Sequence, residues 1–258
     1  MSARIHPTAV VDPSAQLGAD VEVGPYCVVG SGVILGDGCV LQHHVTVMGP
    51  SRIGPNNIFY SCACIGQQTQ DLKYAGEPTY LEIGAGNCFR EFVTVHRATA
   101  REGVTRIGNH GNFLAYSHIA HDCVVGDHVI FSNNGTLAGH VVVEDYAVIG
   151  GLTAIHQFCR IGAHAITGGC SKIVQDVPPF MIADGNPAEI RGINSIGLER
   201  AGVAPERIRV IKEIYRRLYR SKLNLSQALE EIRKDLLPNA DVERVLAFIE
   251  GSQRGIIR

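Results

Sequence analysis

His121 and Asp122 stand side by side, and His140 follows Asp122 by eighteen residues, directly after Gly139. His118 lies three residues before His121, while His156 and Gln157 form a second adjacent polar pair further on. An imidazole beside a carboxylate is the arrangement of a general base, because the carboxylate can hold the ring and its tautomer. His118, His121 and His140 could instead offer three nitrogens to zinc. Asp122 and His140 could equally form a structural pair. The spacing alone permits all three readings.

What makes a spacing of eighteen meaningful is a shorter period. From Ile5 to Ile173 every sixth residue gives 29 positions, of which 25 are Ile, Val, Leu or Phe. Two residues before the aliphatic there is often a small one, such as Ala9, Ala15, Cys27, Thr153 or Ala165. A period of six fits neither an ordinary helix nor a hairpin sheet; it is the repeat of a parallel β-helix. Each hexad makes one short strand and a corner, and three hexads make a coil that rises about 4.8 Å. Counted from the aliphatic residue, positions one and five point inward. The many Gly and Asn residues suit corners that need positive φ. The expected fold is mainly β: a left-handed parallel β-helix of hexapeptide repeats over 1–187, then a small α-helical C-terminal domain over 188–258.

This register sorts the histidines. The hexads beginning at Ile119, Leu137 and Ile155 stack on one face, bringing His121, Asp122, Gly139, His140, His156 and Gln157 together, with His118 at the adjoining corner. His110, His128, Tyr146 and His164 form a column on another face, expected to have no carboxylate or loop nearby, and read as structural. The inward slots that fail are Asp71, Glu77, Arg101 and Thr167. A charged side chain cannot line so narrow a dry core without a large desolvation cost. The stretches 67–80 and 97–106 must therefore leave the coil as loops, the second emerging one coil before His121. Thr167 is small enough to stay.

After Gln175–Phe180 the period becomes helical. Ile208, Ile211, Ile214, Tyr215 and Leu218 share one face; Ala228, Leu229, Ile232 and Leu236 share another; Val242, Val245, Leu246 and Ile249 a third. Asn224 or Ser226 is the expected cap of the middle helix and Pro238 its stop. This domain should cover the last coil, whose open strand edges would otherwise invite aggregation. Net charge is −2 overall, so nothing points to nucleic acid; from Ala201 onward 12 Lys/Arg face 8 Asp/Glu, a basic tail on an acidic body. Charge alone favours a solvated helix face there, although an acidic partner fits too. The eight cysteines form no CxxC or zinc pattern. Four of them (Cys27, Cys39, Cys123, Cys159) occupy the small inward position, as compact apolar residues. With an N-terminus that has no apolar leader and no run long enough to span a bilayer, a cytoplasmic protein without membrane insertion is expected.

The stretch Cys62-Ala63-Cys64-Ile65-Gly66-Gln67-Gln68-Thr69-Gln70-Asp71-Leu72-Lys73-Tyr74-Ala75-Gly76-Glu77-Pro78 resembles the signature loop of the acyl-carrier-protein–UDP-N-acetylglucosamine O-acyltransferases. So do Thr94-Val95-His96-Arg97, Ala120-His121-Asp122-Cys123, Leu137-Ala138-Gly139-His140, Ala154-Ile155-His156-Gln157-Phe158 and Gly168-Gly169-Cys170-Ser171. The similarity runs over essentially the whole chain. It implies the first step of lipid A (lipopolysaccharide) biosynthesis: transfer of an (R)-3-hydroxyacyl group from the phosphopantetheine thioester of acyl carrier protein to the 3-hydroxyl of UDP-N-acetylglucosamine. The same resemblance implies His121 as general base, Asp122 as its orienter and the Gly139 N–H as donor to the oxyanion. Gln70, Asp71 and Lys73 match groups on the acyl-pantetheine side, and His118 and His140 groups around the glucosamine. His96, His156, Gln157, Asn194 and Arg200 match positions near the acyl chain or nucleotide, and Gly169 the end of the acyl groove. Ile196 departs from relatives that carry an acidic nucleotide contact there, and Asn186–Glu189 differs from some members. The resemblance further implies a homotrimer with active sites between subunits, no metal, and no cofactor beyond the carrier's own phosphopantetheine.

Three rival readings can be separated. The related N-acyltransferase of the same pathway carries an extra N-terminal domain before the repeat, whereas here the repeat begins at Ile5. A metal-dependent hydratase would purify with stoichiometric zinc. A non-catalytic hexapeptide-repeat binding protein would not need the base, orienter and glycine together.

Overall fold

A computed structural model describes residues 2–258. Nearly every hexad folds as a strand of two to four residues, and the strands stack in three parallel sheets that wrap one narrow core. The first face begins with Arg4–Ile5, the second runs from Val10–Val11 to Lys172–Ile173, and the third from Gln16–Leu17 to Arg160–Ile161. The result is a left-handed parallel β-helix with a helical C-terminus. Positions one and five do point inward: Leu35 with Val33, Leu41 with Cys39 and Val143 with Val141 are all buried. On the first face the rings of Phe59, Phe89 and Phe113 stack at 5.0 and 4.8 Å, filling the core where aliphatics would leave gaps. The four inward cysteines are fully buried, and burial pushes the Cys123 thiol up to about 12 and Cys159 up to about 11. These thiols are inert core side chains.

Neighbouring strands pair with partners eighteen residues away, as Ile5 does with Val23. Two places differ: Ile53 pairs with Ile83, thirty residues on, and Ile83 with Ile107, twenty-four on. The insertions therefore add twelve and six residues, both multiples of the repeat, so the inward phase is the same on either side. The coil resumes earlier than the failed slots suggest. Strands return at Tyr80–Ile83 and Val104–Ile107, with Leu81 and Thr105 buried, so the loops are 68–79 and 97–103 rather than 67–80 and 97–106.

The corners also depart from expectation. Corners adopt positive φ, but among the described residues 19 non-glycine residues have it, nearly all at position four, among them Tyr26, His110, Asp122, His140, Tyr146 and Phe158. An L-residue in that region costs roughly 1–2 kcal/mol. Ring stacking between coils offsets it: His110, His128, Tyr146 and His164 follow one another at 5.1, 4.7 and 4.9 Å, and Phe180 continues the column. Carboxylates are in fact adjacent to this column. Asp127 and Asp145, however, turn their oxygens to the backbone N–H groups of Asn109 and Asp127.

The coil continues one partial turn past Gln175. Val177 bridges Ile161 and Ala183 pairs with Thr167, a turn of sixteen residues instead of eighteen. Strand Met181–Gly185 then forms an antiparallel hairpin with Ala188–Ile193, so a division at 187/188 falls in a hairpin turn whose second strand still belongs to the sheet. Four helices follow: α1 (Ser195–Arg200), α2 (Pro205–Tyr215, prolonged by a π turn to Arg220), α3 (Leu225–Asp235) and α4 (Ala240–Glu250). Asn224 caps α3 in a reciprocal capping box with Gln227. The end of the third face is closed by the chain's own C-terminus, where the Asp176 N–H donates to Gly255 O and its carbonyl accepts from Ile257 N. Among the described residues no helix is long and apolar enough to cross a membrane.

Candidate active site

His121 and Asp122 occupy positions three and four of a second-face hexad, so Asp122 takes the left-handed corner (φ 58°). That turn swings its carboxylate beside the preceding ring. His121 Nδ1 lies 2.8 Å from Asp122 Oδ2, and each side chain is 13% exposed. A carboxylate only accepts, so Nδ1 carries the proton and Nε2 is left with the lone pair of a base. His140 Nε2 stands 3.7 Å from the same Oδ2, stacks on Phe158 at 4.7 Å, and meets His121 edge-on. Asp122 thus serves His121 first and His140 second. Of the contacts the spacing left open, the His121–Asp122 one is the shorter, and the Asp122–His140 one is present beside it.

Gly139 lies against the His121 ring, where a Cβ would collide with Cε1 and Nε2. Its carbonyl accepts from Phe158 N at 3.2 Å, while among the described residues no acceptor takes its N–H. A groove of about 480 Å³ runs over this glycine. His118, His121 and Gln157 form one wall, and Gln70, Asp71 and Lys73 of the first loop form the other. The loop is braced from within: Asp71 Oδ1 accepts from Lys73 N at 2.9 Å, and the Tyr74 hydroxyl donates to Glu77 O. A second hollow, about 580 Å³, lies between His96 and residues Gln67–Leu72.

His118 Nδ1 is 2.7 Å from Thr94 Oγ1. Burial, and then the neighbouring imidazoles of His96 and His121, push His118 down to about 4, so it is neutral at physiological pH. His96 is held below the usual histidine range chiefly by burial. Its Nδ1 is buried without a partner among the described residues. Because His118 faces Thr94, the set of three imidazoles is not gathered. The group close enough to hold a metal ion is His121, Asp122 and His140, with ligand atoms within 4.8 Å of one another.

The family model described as UDP-N-acetylglucosamine O-acyltransferase, domain 2, matches residues 176–257, and a bacterial transferase hexapeptide model matches residues 2–37. LpxA of Acinetobacter baumannii is 44% identical over 98% of this chain and 99% of its own, with a TM-score of 0.95. The chain belongs to the UDP-N-acetylglucosamine O-acyltransferase family. The acyltransferase of that name from Bacteroides fragilis is 37% identical over 98% of this chain and 100% of its own (TM-score 0.96). The Arabidopsis one is 38% identical over the same shares (TM-score 0.89).

The remaining expected residues of this acyltransferase lie apart from the groove. His156 is exposed, with Nδ1 3.1 Å from Gln157 O. Gly169 is a corner residue near the far end of the second face, and a Cβ there would meet only Gly151 O at 3.5 Å. Asn194 is buried, and both amide atoms are engaged: Oδ1 caps α1 by accepting from Gly197 N, and Nδ2 donates to His164 O. Within one chain its side chain is a helix cap. Arg200 ends α1, exposed to solvent. Sequence reasoning missed the threonines. Thr94 orients His118, the Thr99 N–H donates to Asp122 Oδ2 at 3.0 Å, and Thr105 Oγ1 accepts from Asp122 N at 2.9 Å. Thr105 could have been suspected as a polar residue in an inward slot, two before Ile107.

Proposed function

We propose that the chain moves an (R)-3-hydroxyacyl group from the phosphopantetheine thioester of acyl carrier protein to the 3-hydroxyl of UDP-N-acetylglucosamine, the first step of lipid A biosynthesis. The observation that carries this reading is the meeting in one groove of the His121 base, the free Gly139 N–H and the loop side chains Gln70, Asp71 and Lys73. His121 Nε2 takes the proton of the sugar hydroxyl as that oxygen attacks the thioester carbonyl, and Asp122 stabilises the resulting imidazolium. The oxyanion forms toward the Gly139 N–H. Its collapse breaks the C–S bond, and the departing thiolate recovers the proton from His121. The products are an ester and a free thiol, so no resident cofactor or metal is needed.

Asp71 and Lys73, with Gln70, hold the pantetheine arm; His118, which is neutral, and His140 hydrogen-bond the glucosamine. His96, His156 and Gln157 border the acyl chain or nucleotide, Asn194 and Arg200 act from the α1 side, and Gly169 leaves room for a longer acyl chain. Exposed aromatics along one edge of the β-helix, Tyr26, Phe92 and Tyr116, support packing of three copies. Light scattering should then give three times the 27.8 kDa chain. The eight cysteines, all free, support a reducing, cytoplasmic setting.

The test offers 3-hydroxyacyl carrier proteins of several lengths with UDP-N-acetylglucosamine and reads the products by mass and hydroxylamine lability. A labile O-acyl product is expected. An alkali-stable amide formed when UDP-3-O-acylglucosamine, whose amine is free, is offered in a parallel reaction would favour the N-acyltransferase reading, and no product with either acceptor a binding protein.

A further inference from the structure

An unbroken run of hydrogen bonds joins the loop that carries Gln70, Asp71 and Lys73 to the His121–Asp122 dyad. The Asp71 N–H donates to Thr69 Oγ1 at 3.0 Å, and Thr69 Oγ1 meets Thr99 Oγ1 at 2.7 Å. The Thr99 N–H donates to Asp122 Oδ2 at 3.0 Å, the same oxygen that lies 2.8 Å from His121 Nδ1. Thr69 is 5% exposed, so water competes little for its hydroxyl. Neither threonine lines the groove over Gly139.

A carboxylate held to an imidazole by one oxygen can still swing about its own bonds. A second donor on that oxygen removes the freedom, and here it comes from the 97–103 loop. The place of Thr99 is set in turn by its hydroxyl contact with Thr69, in the other insertion. The two insertions leave the same edge of the β-helix one coil apart, so this contact is their natural meeting point. We infer that Thr69 and Thr99 are positioning residues through which the donor loop, when seated, holds Asp122 against His121. Arrival of the acyl donor at Asp71 and Lys73 is thereby coupled to readiness of the base. The inference rests on the acyl-transfer reading above.

Thr69→Val, Thr99→Val and the double variant test it by steady-state kinetics, in the otherwise native protein and in Asp122→Asn. Each single change should lower kcat about tenfold, the effect of losing roughly one hydrogen bond to a charged network. KM for the UDP-sugar should hold steady, and Thr→Ser at either position should restore most of the rate. Because the pair acts as one unit, the double variant should lose about tenfold rather than the hundredfold of independent sites. In Asp122→Asn, no further loss should follow. Melting curves accompany each variant; if Thr69→Val does not melt cooperatively, Thr99→Val and its Asp122→Asn cycle carry the test. Native kcat in the valine variants, multiplying losses, or losses that persist in Asp122→Asn would overturn the coupling. A native protein that forms no acyl product sinks the acyl-transfer reading and the coupling with it. An active protein, dead as His121→Ala yet indifferent to the threonines, sinks the coupling alone.

Discussion

Two corners of the β-helix carry the same left-handed backbone and the same rise, yet one stacks its rings and the other pairs an imidazole with a carboxylate. At the first, His110, His128, Tyr146 and His164 lie nearly parallel, with interplanar angles of 22°, 8° and 2°. At the second, the column is Asp122, His140 and Phe158, and only the last two rings stack. Residue order makes the difference. In Asp127-His128 the ring takes the left-handed position and stacks, while the carboxylate before it caps the Asn109 N–H. In His121-Asp122 the carboxylate takes that position and turns onto the imidazole. Below it the 97–103 loop replaces the next corner and supplies the Thr99 N–H. Reversing a dipeptide at a corner converts a stacking rung into an imidazole held by a carboxylate.

Removing the base gives the largest effect. His121→Ala should lower kcat about a thousandfold or more while the melting temperature stays near native, since a positioned general base contributes 10²–10⁴; turnover near the native value would remove His121 from its role. Gly139→Ala comes next. Backbone strain is not the issue at this position; the new methyl would strike the His121 ring. A displacement near 1 Å costs about a hundredfold, so kcat should fall by that order with KM for the UDP-sugar little changed. An active Gly139→Ala would mean that the ring tolerates a shift and the dyad geometry is not critical.

The separation of these corners was legible in the sequence, because a register of six assigns each residue to a face and insertions of twelve and six leave the phase intact. Inward aliphatics such as Ile119 and Leu137 therefore identified their outward neighbours correctly. Ring orientation was not legible. Whether Asp122 turns its carboxylate to His121 or to His140 depends on side-chain rotamers, which a period does not encode. Thr69 and Thr99 were invisible for a related reason: they act within loops, where no repeat predicts which backbone N–H meets which oxygen. Asn194 fell on the other side of the same limit. A six-residue helix shows too little periodicity to announce that it needs a cap, so the capping role of the Asn194 amide was not read.

A smaller effect separates the corners by pH. His118, beside the His121–Asp122 corner, has its affinity for protons lowered by burial, from 6.5 to about 4. The unfolded chain takes up that proton first, so stability is intact above pH 6.5 and declines as pH falls toward 4, by at most about 3 kcal/mol. Chemical denaturation of the native protein and His118→Asn across this window should show a shallower decline in the variant. Parallel curves would mean that His118 titrates alike in both states.

The smallest effect belongs to the stacked corner. His128 stacks on both His110 and Tyr146, so His128→Ala removes two ring contacts while leaving an L-residue at φ near 56°. Stability should fall by about 1–2 kcal/mol, the scale of paired aromatic contacts, with kcat within about twofold of native because nothing in the ladder reaches the groove. His128→Gly separates the two contributions, since glycine accepts that backbone region freely. If stacking stabilises the corner, His128→Gly also melts below native, by less than His128→Ala. If the glycine variant melts at or above the native temperature, the rings merely occupy a corner that the backbone would rather give to glycine.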